Sequence, residues 1–513
     1  MRGIPSLITD IRKSVFTEVA RMAYAGGDYS HAEDLPYIIV PGDQPLHRES
    51  VFLERAIAGE RVRLAMGLSI RPVQTRTLMT EGMDQAAIAE QYYEPPLVNI
   101  IPYACHACPT NQYRVTESCQ NCLAASCQRV CPRDAISFVN GKSFIDPLKC
   151  IKCGKCANAC SYHAIIHLER PCQAACGMDA IISDDNGKAI INQDKCVACG
   201  QCLVSCPFGA IVDKGQIFQV IQSILKGDQV IAIVAPAFAG QFGKDSTPEK
   251  FTAAMKLLGF DRVVEVAIGA DMCTIEEAKD FLEKVPAQQD FMATSCCPAW
   301  HAMVHKLFPA QSKNISMTLT PMVFTARLMK KEHPGCKVVF VGPCAAKKLE
   351  AIRADIRSDV DFVLTFEELM GMFQAKNVDF ATMEDGEPLN EGSAAGRGFA
   401  VSGGVAQAVT DLIHKTNPDL EVKTARAEGL RECRKLMTLA KAGKYNGYLL
   451  EGMACPGGCV GGAGTINVPD KSVTEVLKSK KETTFTDSLD TPYIDKLSTL
   501  ENMYNEFGKH ADK

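Results

Sequence analysis

The first 104 residues of this 513-residue chain contain no cysteine, although the whole chain has 24. That absence excludes thiolate chemistry from the opening segment. Long apolar runs are missing too. The longest, over 230–240, is interrupted by Pro236 and falls short of the ~20 residues that a membrane-spanning helix needs. The opening Met1-Arg-Gly-Ile-Pro-Ser-Leu7 lacks the continuous apolar core of a secretory signal. Charge of one sign is not in excess. The net charge is −5, so no nucleic-acid footprint is expected. Apolar residues make up 46% of the chain, enough for large cores and for about two to four domains. A chain of this size needs no disulfide staples. The expectation is a reduced, cytoplasmic, metal-rich protein with no membrane span.

What is present is cysteine in order. Sixteen of the 24 lie between Cys105 and Cys206. Cys-x-x-Cys pairs occur at Cys105/Cys108, Cys119/Cys122, Cys150/Cys153 and Cys196/Cys199. Cys-x-x-x-Cys pairs occur at Cys127/Cys131, Cys156/Cys160, Cys172/Cys176 and Cys202/Cys206. Each of the second set is followed by the same tail, x-x-x-Ala-Ile, and such repetition implies repeated structural units. The runs 150–160 and 196–206 have the bacterial ferredoxin spacing C-x2-C-x2-C-x3-C. The fourth cysteine of such a run ligates the partner run's cluster. The rule gives one [4Fe-4S] cube on Cys119, Cys122, Cys127 and Cys160, and a second on Cys150, Cys153, Cys156 and Cys131. One ferredoxin unit then sits inside another. The outer unit holds a third cube on Cys196, Cys199, Cys202 and Cys176. By elimination, a fourth uses Cys105, Cys108, Cys172 and Cys206. Nested pairs of this kind resemble the four-cluster electron-transfer subunits of molybdenum enzymes. Zinc ribbons share the Cys-x-x-Cys pair but not the 2-2-3 run.

From about residue 216 the pattern becomes α/β. Val230-Ile-Ala-Ile-Val234 reads as a buried strand. Thr247-Pro-Glu opens a helix that Gly259 closes, and Arg262-Val-Val-Glu-Val266 reads as the next strand, a unit that argues for a parallel sheet. The Gly403-Gly404 pair precedes another helix. Three cysteine loops interrupt this pattern: Thr294-Ser-Cys-Cys-Pro-Ala-Trp300, Val341-Gly-Pro-Cys-Ala-Ala-Lys-Lys348 and Glu451-Gly-Met-Ala-Cys-Pro-Gly-Gly-Cys459. Each follows a short apolar run, at 291–293, 337–341 and 448–450. Ligands of open α/β sheets sit at the carboxyl ends of strands. Cys297, Cys344, Cys455 and Cys459 meeting there would supply the four thiolates of a cube.

These three loops resemble the signature loops of the [FeFe]-hydrogenases, the iron-only hydrogenases, over about residues 216–470. The resemblance implies an α/β catalytic domain of two lobes with twisted, mostly parallel sheets, preceded by nested ferredoxin-like α+β iron–sulfur domains. The expected divisions are a packing or docking segment (1–100), the double ferredoxin-like region (101–215), the catalytic domain (216–470) and a small-subunit-like helical tail (471–513). It implies an H-cluster: a [4Fe-4S] cube joined to a di-iron unit that carries CO, cyanide and an azadithiolate. Cys297, Cys344 and Cys455 match the cube ligands, and Cys459 the ligand that also bridges to the di-iron unit. Cys296 matches a thiol that relays protons to the azadithiolate amine, a general acid–base role; the plainer reading is a buried structural thiol. Lys347 matches a lysine that meets a cyanide, Met453 a methionine packed on the di-iron unit, and Gly457 and Gly458 allow a close backbone approach. Lys348 reads as a surface charge. Glu277, Asp280 and Ser316 resemble the family's proton route; otherwise Glu277 and Asp280 lie on a solvated acidic helix face. Many relatives carry Met at the position of Gly342 and Gly at that of Ala299, so the chain is expected in a subgroup with Gly before the Pro-Cys of the second loop.

The implied reaction is reversible reduction of protons to H2. Electrons would pass through four accessory cubes to or from ferredoxin or a similar carrier, and the di-iron unit would come from dedicated maturation proteins. The rivals are a non-catalytic iron–sulfur assembly or electron-transfer protein and an H2 sensor, the latter without a recognisable signalling domain after residue 470. No plant-type [2Fe-2S] pattern opens the chain. Ser50 is expected to cap a helix that runs to Met66, and 34–45 reads as a loop. Cys273, Cys336 and Cys433 read as core thiols. In the tail, Thr491-Pro492 starts a helix with Tyr493, Leu497, Leu500, Tyr504 and Phe507 on one stripe.

Overall fold

The fold is that of a computed structural model, which describes residues 3–27, 29–88 and 95–500. Seven strands make two sheets. They are β1 (Val230–Val234), β2 (Arg262–Glu265), β3 (Met292–Ala293), β4 (Lys337–Gly342), β5 (Phe362–Thr365), β6 (Lys423–Glu428) and β7 (Tyr448–Met453). One sheet has the order β2-β1-β4-β5 and the other β3-β7-β6, and every pairing in both is parallel. All five residues of β1 are buried, as expected for a parallel strand covered on both faces. The connection from β1 to β2 is the expected helix, Pro248–Leu258. Thr247 Oγ1 accepts from the Lys250 N–H at its start, and Gly259 closes it at φ 101°. The alternation of buried strand and amphipathic helix therefore builds two lobes, and all strands of each lobe run the same way.

The iron–sulfur region is nested in its hydrogen bonding as well as in its spacing. The outer antiparallel pair joins Val98–Ile100 to Ile211–Asp213. Within it, Gln112–Val115 pairs with Ile165–Leu168. Two hairpins complete the units, Ile136–Val139 with Lys142–Ile145 and Ile181–Ser183 with Ala189–Ile191.

The N-terminal helix Leu7–Ala25 starts at a Ser6/Thr9 capping box and buries Val15, Phe16, Val19 and Ala20 in the same core as the four-stranded sheet. Ser50 caps the helix Val51–Ala65, accepting from the N–H groups of Phe52 and Leu53. The stretch 34–45 is not wholly a loop. Leu35–Ile39 is helical, with Pro36 in its first turn, where a missing N–H costs nothing. The tail is also more ordered than its charge suggests, because Pro469–Glu482 forms a helix. Tyr493, Leu497 and Leu500 are buried against the main core; Tyr504 and Phe507 lie outside the described residues.

Candidate active site

The carboxyl ends of β1, β3, β4 and β7 face one cavity with about 760 Å³ of atom-free space. Its wall carries Cys297, Cys344, Cys455 and Cys459, together with Cys296, Lys347 and Met453. The remaining wall is apolar, including Met322, Phe340 and Phe399. β7 runs on through Glu451-Gly-Met453, so the third loop leaves the sheet at Ala454. Gly458 has φ 93°, and a Cβ there would lie 2.6 Å from the Ser402 nitrogen. Its glycine is thus required by backbone packing behind the loop. Gly457 has φ 75°, and its N–H donates to Glu428 Oε2 at 2.9 Å.

Burial sets the electrostatics. It pushes the Cys344 and Cys459 thiols up to about 12, with neighbouring cysteines adding to the effect. Such thiols ionise only when a metal takes the place of the proton. This donor set fits a cluster with four thiolate ligands. Lys347 Nζ is 2.6 Å from Glu350 Oε2 and donates to Thr320 Oγ1 at 3.0 Å. Burial acts to lower its pKa, but the Glu350 carboxylate overrides that and holds it above the usual value. Lys347 is therefore a fixed ammonium in an apolar wall. Glu350 was not anticipated, although its spacing of three residues from Lys347 on a helix was legible.

Lys348 is not a surface charge. It is 1% exposed, with Nζ 2.8 Å from Asp213 Oδ2 and 2.9 Å from Glu368 Oε1. Its partners come from the end of the iron–sulfur region and from a distant helix, so nothing local signals the pairing.

The acidic face of the helix Ala267–Lys284 is not solvated. Glu277 is 0% exposed and Asp280 5%. Glu277 Oε1 accepts from the Ser295 N–H at 2.9 Å and from Ser295 Oγ at 3.2 Å, whereas Oε2 is buried with no hydrogen-bond partner among the described residues. Burial pushes Glu277 up to about 7, against those two bonds. Cys296 lies within electrostatic reach of Glu277, and burial raises its thiol well above the usual range. Ser295 Oγ also donates to Thr318 O, and the Thr318 N–H donates to Ser316 Oγ. Asp280 pairs with Lys284 at 2.7 Å. The structure thus brings Cys296, Glu277 and Ser316 into one buried polar strip through Ser295, a residue not singled out from sequence. Cys273, Cys336 and Cys433 are fully buried.

Among the sixteen upstream cysteines, Cys131, Cys150, Cys153 and Cys156 line one cavity, and Cys105, Cys108, Cys172 and Cys206 line another, each with about 330 Å³ of atom-free space. Cys196, Cys199, Cys202 and Cys176 act on one another electrostatically. Cys127 and Cys160 share a small core with Ile136 and Ile165, and Cys119 accepts from the Ser143 N–H beside Cys127. Among the described residues, no three His, Cys, Asp or Glu converge as ligands of a single ion would. Two of the four sets surround open space instead.

The repeated tail has a geometric reason. The N–H groups of Ala135, Ala164, Ala180 and Ala210 each donate to the sulfur four residues earlier, at 3.3–3.4 Å. The residue before each of those alanines is left-handed, as is the third residue of every Cys-x-x-Cys loop. Ten such turns at non-glycine residues occur among the described residues, and most lie in these loops. They fold N–H groups toward the sulfurs, where they stabilise thiolate charge.

The N-terminal segment reaches this region too. Arg61 Nη2 donates to Gly209 O, and Arg48 donates to the carbonyls of Ala104 and Phe208.

Comparison with known proteins agrees with this architecture. A family described as the C-terminal domain of the iron only hydrogenase large subunit matches residues 228–463. A 4Fe-4S dicluster domain matches 111–161, and a 4Fe-4S binding domain matches 189–212. The chain is 30% identical over 446 residues to iron hydrogenase 1 of Clostridium pasteurianum, covering 74% of this chain and 76% of that one. It is 26% identical over 336 residues to the nuclear prelamin A recognition factor of Xenopus laevis, covering 53% and 73% respectively. A solved apo [FeFe]-hydrogenase of Chlamydomonas reinhardtii gives a TM-score of 0.43 at 23% identity, covering 53% of this chain and 89% of that one. A parallel-sheet catalytic-type domain preceded by 4Fe-4S ferredoxin-type domains, matched by sequence over most of both chains, makes this chain a member of the iron-only hydrogenase family.

Proposed function

We propose that this protein interconverts H2 with two protons and two electrons at an H-cluster. The observation that carries this reading is the cavity at the strand ends, where four cysteines, a separate thiol and a fixed ammonium share an otherwise apolar wall. Cys297, Cys344, Cys455 and Cys459 would hold the cluster by their four thiolates. When bound, the di-iron unit supplies the metal at which the H–H bond is made and broken. Lys347, fixed by Glu350 and Thr320, presents its charge to an anionic ligand where water is excluded. Met453 and Phe340 fill space against the cofactor. Cys296 takes up and releases the proton at its Sγ. Glu277, which titrates near neutral pH, accepts it next, and Ser295, Ser316 and Asp280 line the way to the partly exposed Lys284.

The upstream cubes form the electron path. The loop of the third cube abuts the catalytic domain: a Cβ on Gly200 would lie 2.3 Å from the Ala463 Cβ. The inner ferredoxin unit is the outer end of the path, with Cys153 exposed. The carrier is ferredoxin or a similar protein, the setting is the cytoplasm, and the di-iron unit is delivered by maturation proteins. We take the domains as 1–100, 101–215, 216–470 and 471–513, with the tail helix starting at Pro469. The subgroup assignment rests on Gly342, whose missing side chain leaves room for the Phe340 ring.

Similarity to the cytosolic iron-sulfur assembly component 3 of Bos taurus, 26% identical over 290 residues, favours one other reading, an iron–sulfur assembly protein without H2 chemistry. Infrared spectroscopy of protein matured with the di-iron cofactor separates the two. Metal-bound CO and cyanide bands that shift under H2 are expected. Their absence from protein with filled cubes, when a control hydrogenase matures in parallel, would overturn the enzyme reading.

A further inference from the structure

The inner ferredoxin unit differs from the rest of the chain in charge and in surface. Residues 110–163 contain seven Lys and Arg against three Asp and Glu, a local excess of four positive charges in a chain whose net charge is −5. The same unit exposes apolar side chains that a solvated surface does not need. Leu123 is 100% exposed, Leu148 96% and Ile151 56%. An open groove with about 1060 Å³ of atom-free space has Arg114, Phe144, Pro147, Cys150 and Lys152 in its wall, and Leu148 and Ile151 are chain neighbours of those wall residues. Cys150 belongs to the second cube set, and Cys153 of the same set is exposed. Leu148 and Lys149 lead directly into that loop. Arg114, Lys149 and Lys152 are all exposed, with no carboxylate partner among the described residues, whereas the nearby Glu117 is already paired with Lys142.

We propose that this groove, with Arg114 and Lys152 in its wall and Leu148, Lys149 and Ile151 next to wall residues in the chain, is the docking site of a small acidic iron–sulfur electron carrier. The inference rests on the electron-path reading above and adds the place and the chemistry of the partner. Unpaired like charges around an apolar centre speed encounter with a partner of opposite charge, and the apolar contacts then hold the pair. The position beside Cys150 brings the carrier's cluster close to the second cube. Outer-unit charge does not offer the same attraction, since residues 164–215 carry four Lys and Arg against six Asp and Glu. One electron leaves the carrier's reduced cluster and enters an oxidised cube of this protein, with no bond made or broken.

The test uses the full iron-loaded chain and a reduced acidic ferredoxin of the two-[4Fe-4S] type, mixed by stopped flow. The readout is oxidation of the carrier as electrons enter the accessory cubes, so it requires no H2 turnover. If the proposed H2 chemistry were wrong, carrier oxidation would still report docking. The Lys149→Glu/Lys152→Glu variant is expected to slow transfer at least about tenfold at low salt and to flatten its salt dependence. Leu148→Ser should weaken saturation without changing the salt slope. Reduction of the same cubes by a small viologen should be unchanged in every variant, which also shows that the cubes are intact. Unchanged carrier kinetics in both variants would overturn the proposal. So would a full-length dimer that dissociates on Leu148→Ser, since the face would then belong to a second copy.

Discussion

Glu277 carries two hydrogen bonds on one carboxylate oxygen and none on the other, at a position with no exposure to water. Burial of such a carboxyl favours its neutral form, so it exchanges its proton near neutral pH. Its folded-state pKa of about 7 exceeds the ordinary value of 4.5, so the unfolded chain releases this proton first as pH rises. Stability from this group is fully present below pH 4.5 and is lost as pH climbs through about 7, a cost on the order of 3 kcal/mol at alkaline pH. Glu277→Gln should therefore raise the thermal midpoint at alkaline pH and have little effect on it below pH 4.5. The same variant should slow H2 turnover by about 10²-fold or more while the cubes remain intact. A pH-independent effect on the midpoint would show that Glu277 is ionised in the folded protein. From sequence, Glu277 could be placed near the first loop by spacing alone. Its burial could not, because run Glu276-Glu277 next to Lys279 looks like a wet face. The helix that carries Glu277 is covered on its Ala278 and Phe281 side by Met292 and Leu449 of the sheet.

At the scale of elements, strand β4 shows how one position sets another. Phe340 and Gly342 point to the same side of the strand, as residues two apart must. A Cβ on Gly342 would lie 2.4 Å from Phe340 Cε1. The aromatic ring therefore occupies the volume that a side chain at 342 would take. Gly342→Met should destabilise the iron-loaded protein by about 1–3 kcal/mol through overpacking. Combined with Phe340→Ala, it should cost less than the two single variants added together, because each removes the other's clash or void. Thermal midpoints of the four proteins in the cycle decide this, and strict additivity would rule out the exchange. Elements with strong local signals were legible before the structure: β1, β2 and β4, the Thr247-capped helix and every cysteine loop. The loops were legible because a cluster dictates ligand spacing almost independently of the rest of the fold. The helix Pro469–Glu482 was not, since it buries only Ser472 and Val476 and gains its stability from docking rather than from an apolar stripe.

At the scale of the whole molecule, Lys348 joins three regions. Its ammonium binds Asp213 from the outer ferredoxin strand and Glu368 from the helix after β5, while Arg12 of the N-terminal helix lies 3.8 Å from Asp213 and 2.6 Å from Glu367. Lys348→Met should lower stability by about 3–5 kcal/mol by leaving the buried Glu368 without its cation and Asp213 with Arg12 alone. Adding Asp213→Asn and Glu368→Gln should recover most of that loss, read as the thermal midpoint at one scan rate. No recovery would mean that the charges are not the cause. The nested pairing of Val98–Ile100 with Ile211–Asp213 has a different consequence, one of timing. On the ribosome the inner unit has all eight of its cysteines by residue 160, but under the proposed cluster pairing Cys105 and Cys108 wait for Cys206, which lines the same cavity. At about 5–20 residues per second, those two thiols stay without their full ligand set for roughly 5–20 s of synthesis. Each newborn chain thus passes through an interval in which an oxidant can capture its earliest cysteines, so the risk of oxygen damage begins before the protein is complete.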